Sequence, residues 1–317
     1  MAGHVIAIDL GGTNIRGALV RADGHVEKRE SVRTKAQEGP GAVIARIADV
    51  VGIVSEEAGA DIPVGIASPG PLDPRTGAIL FTPNLPGWRD VPLVSALETR
   101  TGRRVALQND GNCGALGEAA FGSAKGVRDL VYLALGTGIG GGVISNGVLI
   151  DGAQGFGAEV GHVVIALDGP RCTCGSVGCL EAFTSGWAIR REAELVAATA
   201  DGDRLKELAG NGDLHAGVVA EAAREGHPAS LEIMNRAGRA LGAAMGAFAN
   251  IFNPSMIVVG GGVAEIGEIL LGPARASLLE HSFVDMRREL TVTYSSLGTD
   301  TGLLGAAALA IQTLGES

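Results

Sequence analysis

His162, Cys172, Cys174 and Cys179 fall within one short stretch of the 317-residue chain. One imidazole and three thiols make the donor set of a tetrahedral zinc site, borderline nitrogen with soft sulfur. With four protein ligands the shell is closed, so such an ion would be structural and not a Lewis acid. The glycines of the stretch let the loop fold back until the thiolates converge. A carboxylate stands at each end, Glu159 and Glu181. A metal that stiffens the loop would also fix these two anionic acceptors, a geometry suited to the hydroxyls of a polyol. Two other readings of the thiols stay open, a disulfide and buried or redox-active cysteines. The fourth cysteine, Cys113, lies far off in sequence, and no secretory signal opens the chain. The expected compartment is therefore the reducing cytoplasm, which disfavours a structural disulfide.

A second kind of chemistry is carried by glycines. Asp9-Leu10-Gly11-Gly12-Thr13-Asn14 follows a short apolar run and precedes another. This is a strand, a Gly-Thr turn and a strand, not the strand-to-helix step of a P-loop. Backbone N–H groups of Gly11, Gly12, Thr13 and Asn14, with the Thr13 hydroxyl, could cradle a phosphate, and Asp9 could hold Mg²⁺ through water. An ordinary hairpin turn is the alternative. The pattern recurs: Asp129–Ala134 reads as a strand and Leu135–Gly142 as a turn containing Gly136, Thr137 and Gly138. Val143 onward reads as a strand again, with Asn146-Gly147 as a hairpin turn. Such a repeat predicts two similar α/β domains, each offering one Gly-Thr hairpin to a shared ligand. Gly260, Gly261 and Gly262 follow the buried run Met256–Val259 and are expected to open a helix, where bare backbone admits a flat ring or a phosphate.

Asp110 lies between a predicted strand, Arg104–Gln108, and a helix running through Ala120. The positive helix end favours its ionised form, and an ionised carboxylate can take a proton from an attacking hydroxyl. A plain helix N-cap is the competing reading. Asn84, in the rigid loop Thr82–Trp88, offers one acceptor and two donors to a polyol, or caps a turn. Ser68-Pro69-Gly70-Pro71 cannot be regular structure, since two prolines break it.

The elements that must position these groups read as an α/β chain. Helices are predicted over Gly41–Glu57, Ser185–Ala198, His215–Glu225, Pro228 to Ile251 and Gly302–Leu314, and late strands over Met256–Val259 and Thr291–Thr293. Gly238, Gly242 and Gly246 recur every fourth residue, which predicts a close helix contact, and the last helix is expected to return to the first domain. Apolar residues make up 46%, enough for two cored domains. The net charge of −10 argues against a nucleic-acid surface, and no run is apolar and long enough for a membrane span.

With these motifs laid out, the chain resembles sugar kinases of the ROK (repressor, open reading frame, kinase) family over nearly its whole length, in particular their zinc-bearing glucokinase branch. The resemblance rests on Asp9–Thr13, Ser68–Pro71, Asn109–Asn112, Gly136–Gly142, Glu159–His162 and the cysteine loop ending in Glu181. It implies an actin-like ATPase (ribonuclease H-like) duplicated two-domain fold with an interdomain cleft. The expected domains are 1–110 with 301–317, and 111–300. It implies MgATP as donor and a hexose, glucose first, as acceptor. Asp110 would be the general base, with Asp9 as its rival. Gly70, Asn84, Asn109, Glu159, His162 and Glu181 would face the sugar, and the glycine turns would hold the nucleotide. It further implies a homodimer or homotetramer. The rivals are a kinase for N-acetylmannosamine, N-acetylglucosamine or fructose, a polyphosphate donor, and a sugar-responsive repressor. The repressor is disfavoured by the acidic charge and by a first strand that begins by His4.

Overall fold

The computed structural model of the chain describes residues 3–56, 58–59, 61–82 and 85–315. Asn84 and Glu57, both singled out above, lie outside the described residues. The strands are β1 (His4–Leu10), β2 (Asn14–Arg21), β3 (Val26–Arg33), β4 (Val64–Ser68), β5 (Leu72–Asp73), β6 (Ala78–Phe81), β7 (Arg89–Val91), β8 (Val105–Asn109), β9 (Leu130–Leu135), β10 (Ile139–Ser145), β11 (Val148–Leu149), β12 (Met256–Gly260) and β13 (Thr291–Tyr294). The α-helices are α1 (Pro40–Val54), α2 (Leu93–Thr101), α3 (Asp110–Phe121), α4 (Glu181–Thr184), α5 (Gly186–Ala197), α6 (Asp203–Ala209), α7 (Ala216–Arg224), α8 (Pro228–Phe252), α9 (Glu268–His281) and α10 (Thr301–Leu314). They form two compact units: Met1–Arg128, Gly142–Ala158 and Ser296–Ser317 in the first, Asp129–Gly141 and Glu159–Ser295 in the second.

In the first unit a five-stranded sheet runs in the order β3-β2-β1-β4-β8. β2 pairs antiparallel with β1, whereas β4 runs parallel to β1 and β8 parallel to β4. β1 is buried on both faces, as a continuous β-branched run demands. One face is covered by α1, whose Val50 lies over Gly17. The other is covered by α10, and a Cβ at Gly65 would lie 1.9 Å from the Ala306 carbonyl oxygen. The C-terminal helix thus returns to the first strands, as its apolar composition predicted. β3, which the sequence reading did not foresee, is a charged edge strand carrying Glu27, Lys28, Arg29 and Glu30. Such charges protect an open edge from pairing, and they also hide the strand's pattern.

The second sheet repeats the order, β11-β10-β9-β12-β13, with β12 parallel to β9 and β13 parallel to β12. The duplicated α/β architecture expected from the recurring hairpins is present. The division between the two units falls inside β10, after Gly141. β10 begins at Ile139, not at Val143, so Gly140, Gly141 and Gly142 belong to a strand and not to the turn. Packing is the reason: a Cβ at Gly141 would lie 2.2 Å from the Tyr132 carbonyl oxygen, so only bare backbone can run extended there. In the second unit α8 packs on α9 through the predicted glycine row. A Cβ at Gly242 would lie 2.1 Å from the Ala274 carbonyl oxygen, and one at Gly238 2.5 Å from that of Leu270. Among the described residues no helix is long and apolar enough to cross a membrane.

Candidate active site and metal centre

In the first unit the predicted site residues come off the C-terminal ends of three neighbouring parallel strands. Asp9 lies near the end of β1, opposite Ala67 of β4, and Ser68 of β4 is paired with Asn109 of β8. Open α/β sheets bind ligands at this edge, because the loops and helix N-termini that follow the strands gather there. The capping duty at α3 belongs to Asn109, not to Asp110. The Asn109 Oδ1 accepts from the backbone N–H of Gly111 at 2.9 Å and of Asn112 at 3.4 Å. Asp110 is the first residue of α3 and is exposed, with Oδ1 2.8 Å from its neighbour's N–H at Gly111. Its carboxylate therefore stands in the positive field of a helix start without serving as the cap. The other end of the Asn109 amide faces Gly70, where a Cβ would lie 3.3 Å from Nδ2. Asn109, Asp110 and Gly70 are thus brought together. The Gly70–Pro71 peptide is cis.

The first Gly-Thr turn is closed by its own backbone, the Gly11 N–H donating to the Asn14 carbonyl at 2.9 Å. That donor is spent within the turn, although Gly11 was among the expected phosphate donors. Buried Thr34 braces the turn from β3's end, its N–H on the Thr13 carbonyl (2.9 Å) and its hydroxyl on the Gly11 carbonyl (2.6 Å). Asp9 carries a partner absent from the sequence reading. Arg16 Nε donates to Asp9 Oδ2 at 3.0 Å and Arg16 Nη2 converges on the same oxygen. Asp9 Oδ1 takes no part in that pair, which leaves a carboxylate oxygen of the right kind to accept from a magnesium-bound water.

In the second unit the Gly136–Gly138 turn is also closed by its own backbone, more tightly, with the Gly136 N–H on the Gly138 carbonyl at 2.9 Å. The first amides of α5 hold it: Gly186 N–H donates to the Gly136 carbonyl at 2.9 Å, and Trp187 N–H to that of Thr137 at 3.3 Å. Gly260 ends β12, paired with Ala134 of β9, so the Gly260–Gly262 turn lies beside this hairpin. Gly261 has φ +88°, and a Cβ there would lie 2.3 Å from the Leu135 carbonyl oxygen. These glycines do not open a helix directly. A 3-10 turn, Ala264–Ile266, intervenes before α9.

His162, Cys172, Cys174 and Cys179 converge as predicted, their ligand atoms all within 4.8 Å of one another. Cys174 Sγ lies 3.8 Å from Cys179 Sγ, and Cys172 Sγ lies 3.7 Å from His162 Nδ1. A tetrahedron with metal–sulfur bonds of about 2.3 Å has edges of about 3.8 Å, so these two edges match, and the four donors lie close enough together to hold a zinc ion. No disulfide joins them in this structure, where a bond would need about 2.05 Å and all four cysteines are free. Burial pushes the Cys172 thiol up to about 12, with the charge of Glu181 a lesser contributor. A cation that binds there displaces that proton.

Glu181 follows the cysteines as the first residue of α4 and is 7% exposed. Its Oε1 accepts from the Thr173 hydroxyl at 3.0 Å and lies 3.5 Å from Cys172 Sγ. Its Oε2 accepts from the Ile139 N–H at 2.9 Å. Glu159 is exposed, and its carbonyl accepts the His162 N–H at 3.0 Å. Gly161, between them, lies against β10, where a Cβ would be 2.0 Å from the Ile139 carbonyl oxygen. The Glu159–His162 turn and Glu181 thus both rest on Ile139, the residue after the Gly136–Gly138 turn.

Residues 5–313 match the ROK family. The chain belongs to it. It is 41% identical over 313 residues to a glucokinase of Thermotoga maritima, an alignment covering 98% of each protein. A ROK hexokinase structure from Thermus thermophilus matches with a TM-score of 0.84 at 33% identity, covering 99% of this chain and 100% of that one. A ROK glucokinase structure from Streptomyces griseus, in complex with glucose and AMPPNP, matches at 0.81 with 35% identity, covering 98% and 100%. The actin-like fold that the resemblance implies is the fold of this ROK chain.

Two residues that brace the candidate site, Arg16 and Thr34, are not evident from the motifs, for different reasons. Arg16 was recoverable: closing the hairpin with Leu10 opposite Ile15 places Asp9 opposite Arg16. Thr34 was not, because its contact with the turn depends on β3, whose charged residues carry no apolar alternation.

Proposed function

We propose that this chain transfers the γ-phosphoryl group of ATP to the 6-hydroxyl of glucose, giving glucose 6-phosphate and ADP. The observation that carries the reading is its near-full-length likeness to glucokinases, 41% identical in the Thermotoga maritima case. The Streptomyces griseus relative with glucose and AMPPNP supports both substrates. Asp110 takes the proton of the attacking hydroxyl, its ionised form favoured by the start of α3. Gly70, Asn84, Asn109, Glu159, His162 and Glu181 orient the sugar. The Gly11–Asn14 and Gly136–Gly138 turns hold the phosphates, and Gly260–Gly262 the nucleoside end. Little covalent work falls to the protein in phosphoryl transfer, so positioning and charge stabilisation carry the rate. Mg²⁺ supplies charge neutralisation across the phosphates when bound, and Asp9 is the residue we assign to it. His162, Cys172, Cys174 and Cys179 hold a structural zinc, with Nδ1 of His162 on the metal side.

We take the folding domains to be the two compact units, which place α3 and Gly142–Ala158 with the first strands, where 1–110 with 301–317 and 111–300 were expected. We further assign a homodimer or homotetramer, a cytoplasmic setting that keeps the four thiols reduced, and no nucleic-acid partner. A coupled ADP-release assay over a panel of sugars tests the function. The expected outcome is a kcat/KM for glucose at least tenfold above mannose, fructose, N-acetylmannosamine and N-acetylglucosamine with ATP as donor. A higher value for any of those sugars, or activity with polyphosphate alone, overturns the assignment.

A further inference from the structure

Beneath the start of α3 lies a polar chain built on Gln108 and Asp151, two residues that none of the functional motifs includes. Gln108 is 2% exposed. Its Oε1 accepts from the Asn109 N–H at 2.7 Å and from Asn112 Nδ2 at 3.2 Å. Its Nε2 donates to Asp151 Oδ1 at 2.9 Å. An amide has two unlike ends, and an ionised carboxylate only accepts. Asp151 therefore demands the NH₂ end of Gln108 and sends the carbonyl end to Asn109 and Asn112. Were Gln108 turned round, two donors would face each other at the Asn109 N–H, and the Asp151 carboxylate would face an oxygen. Asn112 is equally buried, at 2% exposed, and its Oδ1 has no hydrogen-bond partner among the described residues. Its bond to Gln108 therefore sets which way its amide points. Asn109 is the residue whose side chain caps α3 and whose next neighbour is Asp110.

We propose that Asp151 is a positioning residue for phosphoryl transfer: through the Gln108 amide it fixes the backbone of Asn109 and so aims the carboxylate of Asp110. This rests on the reading of Asp110 as general base. Misplacement of a reacting group by about 1 Å costs on the order of 100-fold in rate, so the effect is legible in kcat.

The test is steady-state kinetics with glucose and MgATP on Asp151→Ala and Asp151→Asn, with thermal unfolding and glucose affinity measured on each. Asp151→Ala is expected to lose about 10- to 100-fold in kcat while KM for ATP stays within about twofold and unfolding stays cooperative. Asp151→Asn is expected to recover most of kcat, since its Oδ1 still accepts from Gln108. Should Asp151→Ala fail to fold, Gln108→Glu replaces it, opposing one carboxylate to another. Its loss of kcat is expected to be relieved in the Gln108→Glu, Asp151→Asn double variant, where the hydrogen bond forms with donor and acceptor exchanged. Wild-type kcat in Asp151→Ala or in Gln108→Glu overturns the proposal. So does an Asp151→Asn variant as impaired as Asp151→Ala, or a double variant with no relief. Asp110→Asn is run beside them: retained turnover there removes the general-base reading itself, whereas its loss with Asp151→Ala intact removes only the role of Asp151.

Discussion

Glu181 Oε2 accepts the backbone N–H of Ile139 at 2.9 Å. The bond ties the end of the cysteine loop to the residue that follows the Gly136–Gly138 turn. The same oxygen leaves no room beside that turn, since a Cβ at Gly138 would lie 2.6 Å from it. The other carboxylate oxygen is held by Thr173, between Cys172 and Cys174. A hydrogen-bonded path thus runs from the cysteine loop through one carboxylate to the Gly136–Gly138 turn. Glu181→Ala strands the buried Ile139 N–H, which costs about 1–3 kcal/mol. Glu181→Gln keeps an acceptor for Ile139 and a group able to donate to the Thr173 hydroxyl. Thermal unfolding is expected to show a clear drop for the alanine variant and a small one for glutamine. Equal drops in both would mean that the negative charge, not the acceptor, holds the loop.

Metal content tests the same path. Elemental analysis of the purified protein is expected to give one zinc per chain, and Cys172→Ser, which keeps the size of the side chain, is expected to reduce it. Stripping the ion with a chelator should lower the unfolding midpoint and weaken nucleotide binding together, because the Gly136–Gly138 turn loses its support through Glu181. A protein that stays equally stable and keeps its nucleotide affinity after complete metal removal would refute the coupling.

Asp110→Asn changes a charge at an exposed helix start whose cap is Asn109, so the fold should be nearly indifferent to it. Turnover should fall by about 10²–10⁴, the usual share of a general base, with glucose affinity within a few-fold of wild type. Calorimetry with glucose and single-turnover assays separate the two. A variant that turns over glucose at a near-normal rate would falsify the role.

Asn109→Ala separates capping from substrate contact. Losing the bonds to Gly111 and Asn112 costs about 1 kcal/mol, or about 2–4 °C in midpoint for a domain of this size. The lost Nδ2 facing Gly70 should appear instead as a raised KM for glucose. Asn109→Asp retains the cap and removes the donor, so it should keep the midpoint and still raise KM. A normal KM in that variant would place the sugar elsewhere.

The parts of this molecule that the sequence displays are those whose physics is local. The cysteine loop was legible because donor type and spacing alone limit what four such residues can bind. Both hairpins were legible because apolar runs flank each Gly-Thr turn, and the repeat of that pattern foretold two similar α/β units. The α8–α9 seam was legible from glycines one turn apart. Asn109 as cap was not, because the sequence offers two adjacent capping residues and only backbone geometry chooses between them. Gln108 and Asp151 were hidden for a plainer reason: they meet across 43 residues, and neither belongs to a glycine or cysteine motif. The extended Gly140–Gly142 segment inverted the usual signal, since close packing on Tyr132 required glycine where glycine commonly marks a turn.

Arg29 and Asp300 give a stability prediction that depends on pH. Arg29 Nη1 and Nη2 reach the two carboxylate oxygens of Asp300 at 2.7 and 2.8 Å, joining the edge strand β3 to the residue before α10. The hydrogen bond from Arg29 holds the Asp300 carboxyl below its ordinary value of 3.8, against the opposing pull of burial, with the charge of Arg29 adding to it. A carboxyl depressed in the folded state binds fewer protons there than in the unfolded chain. Its contribution is therefore complete above pH 3.8 and is lost as the pH falls through the depressed folded value. Asp300→Asn removes it at every pH. The stability gap between wild type and Asp300→Asn, from urea unfolding, should be constant from pH 7 to about pH 5 and close below the ordinary carboxylate range. Added salt should narrow the gap, because Arg29 is half-exposed and the pair is screened. A gap that widens on acidification would mean that Asp300 is stabilised in its protonated form, and that Arg29 does not govern it.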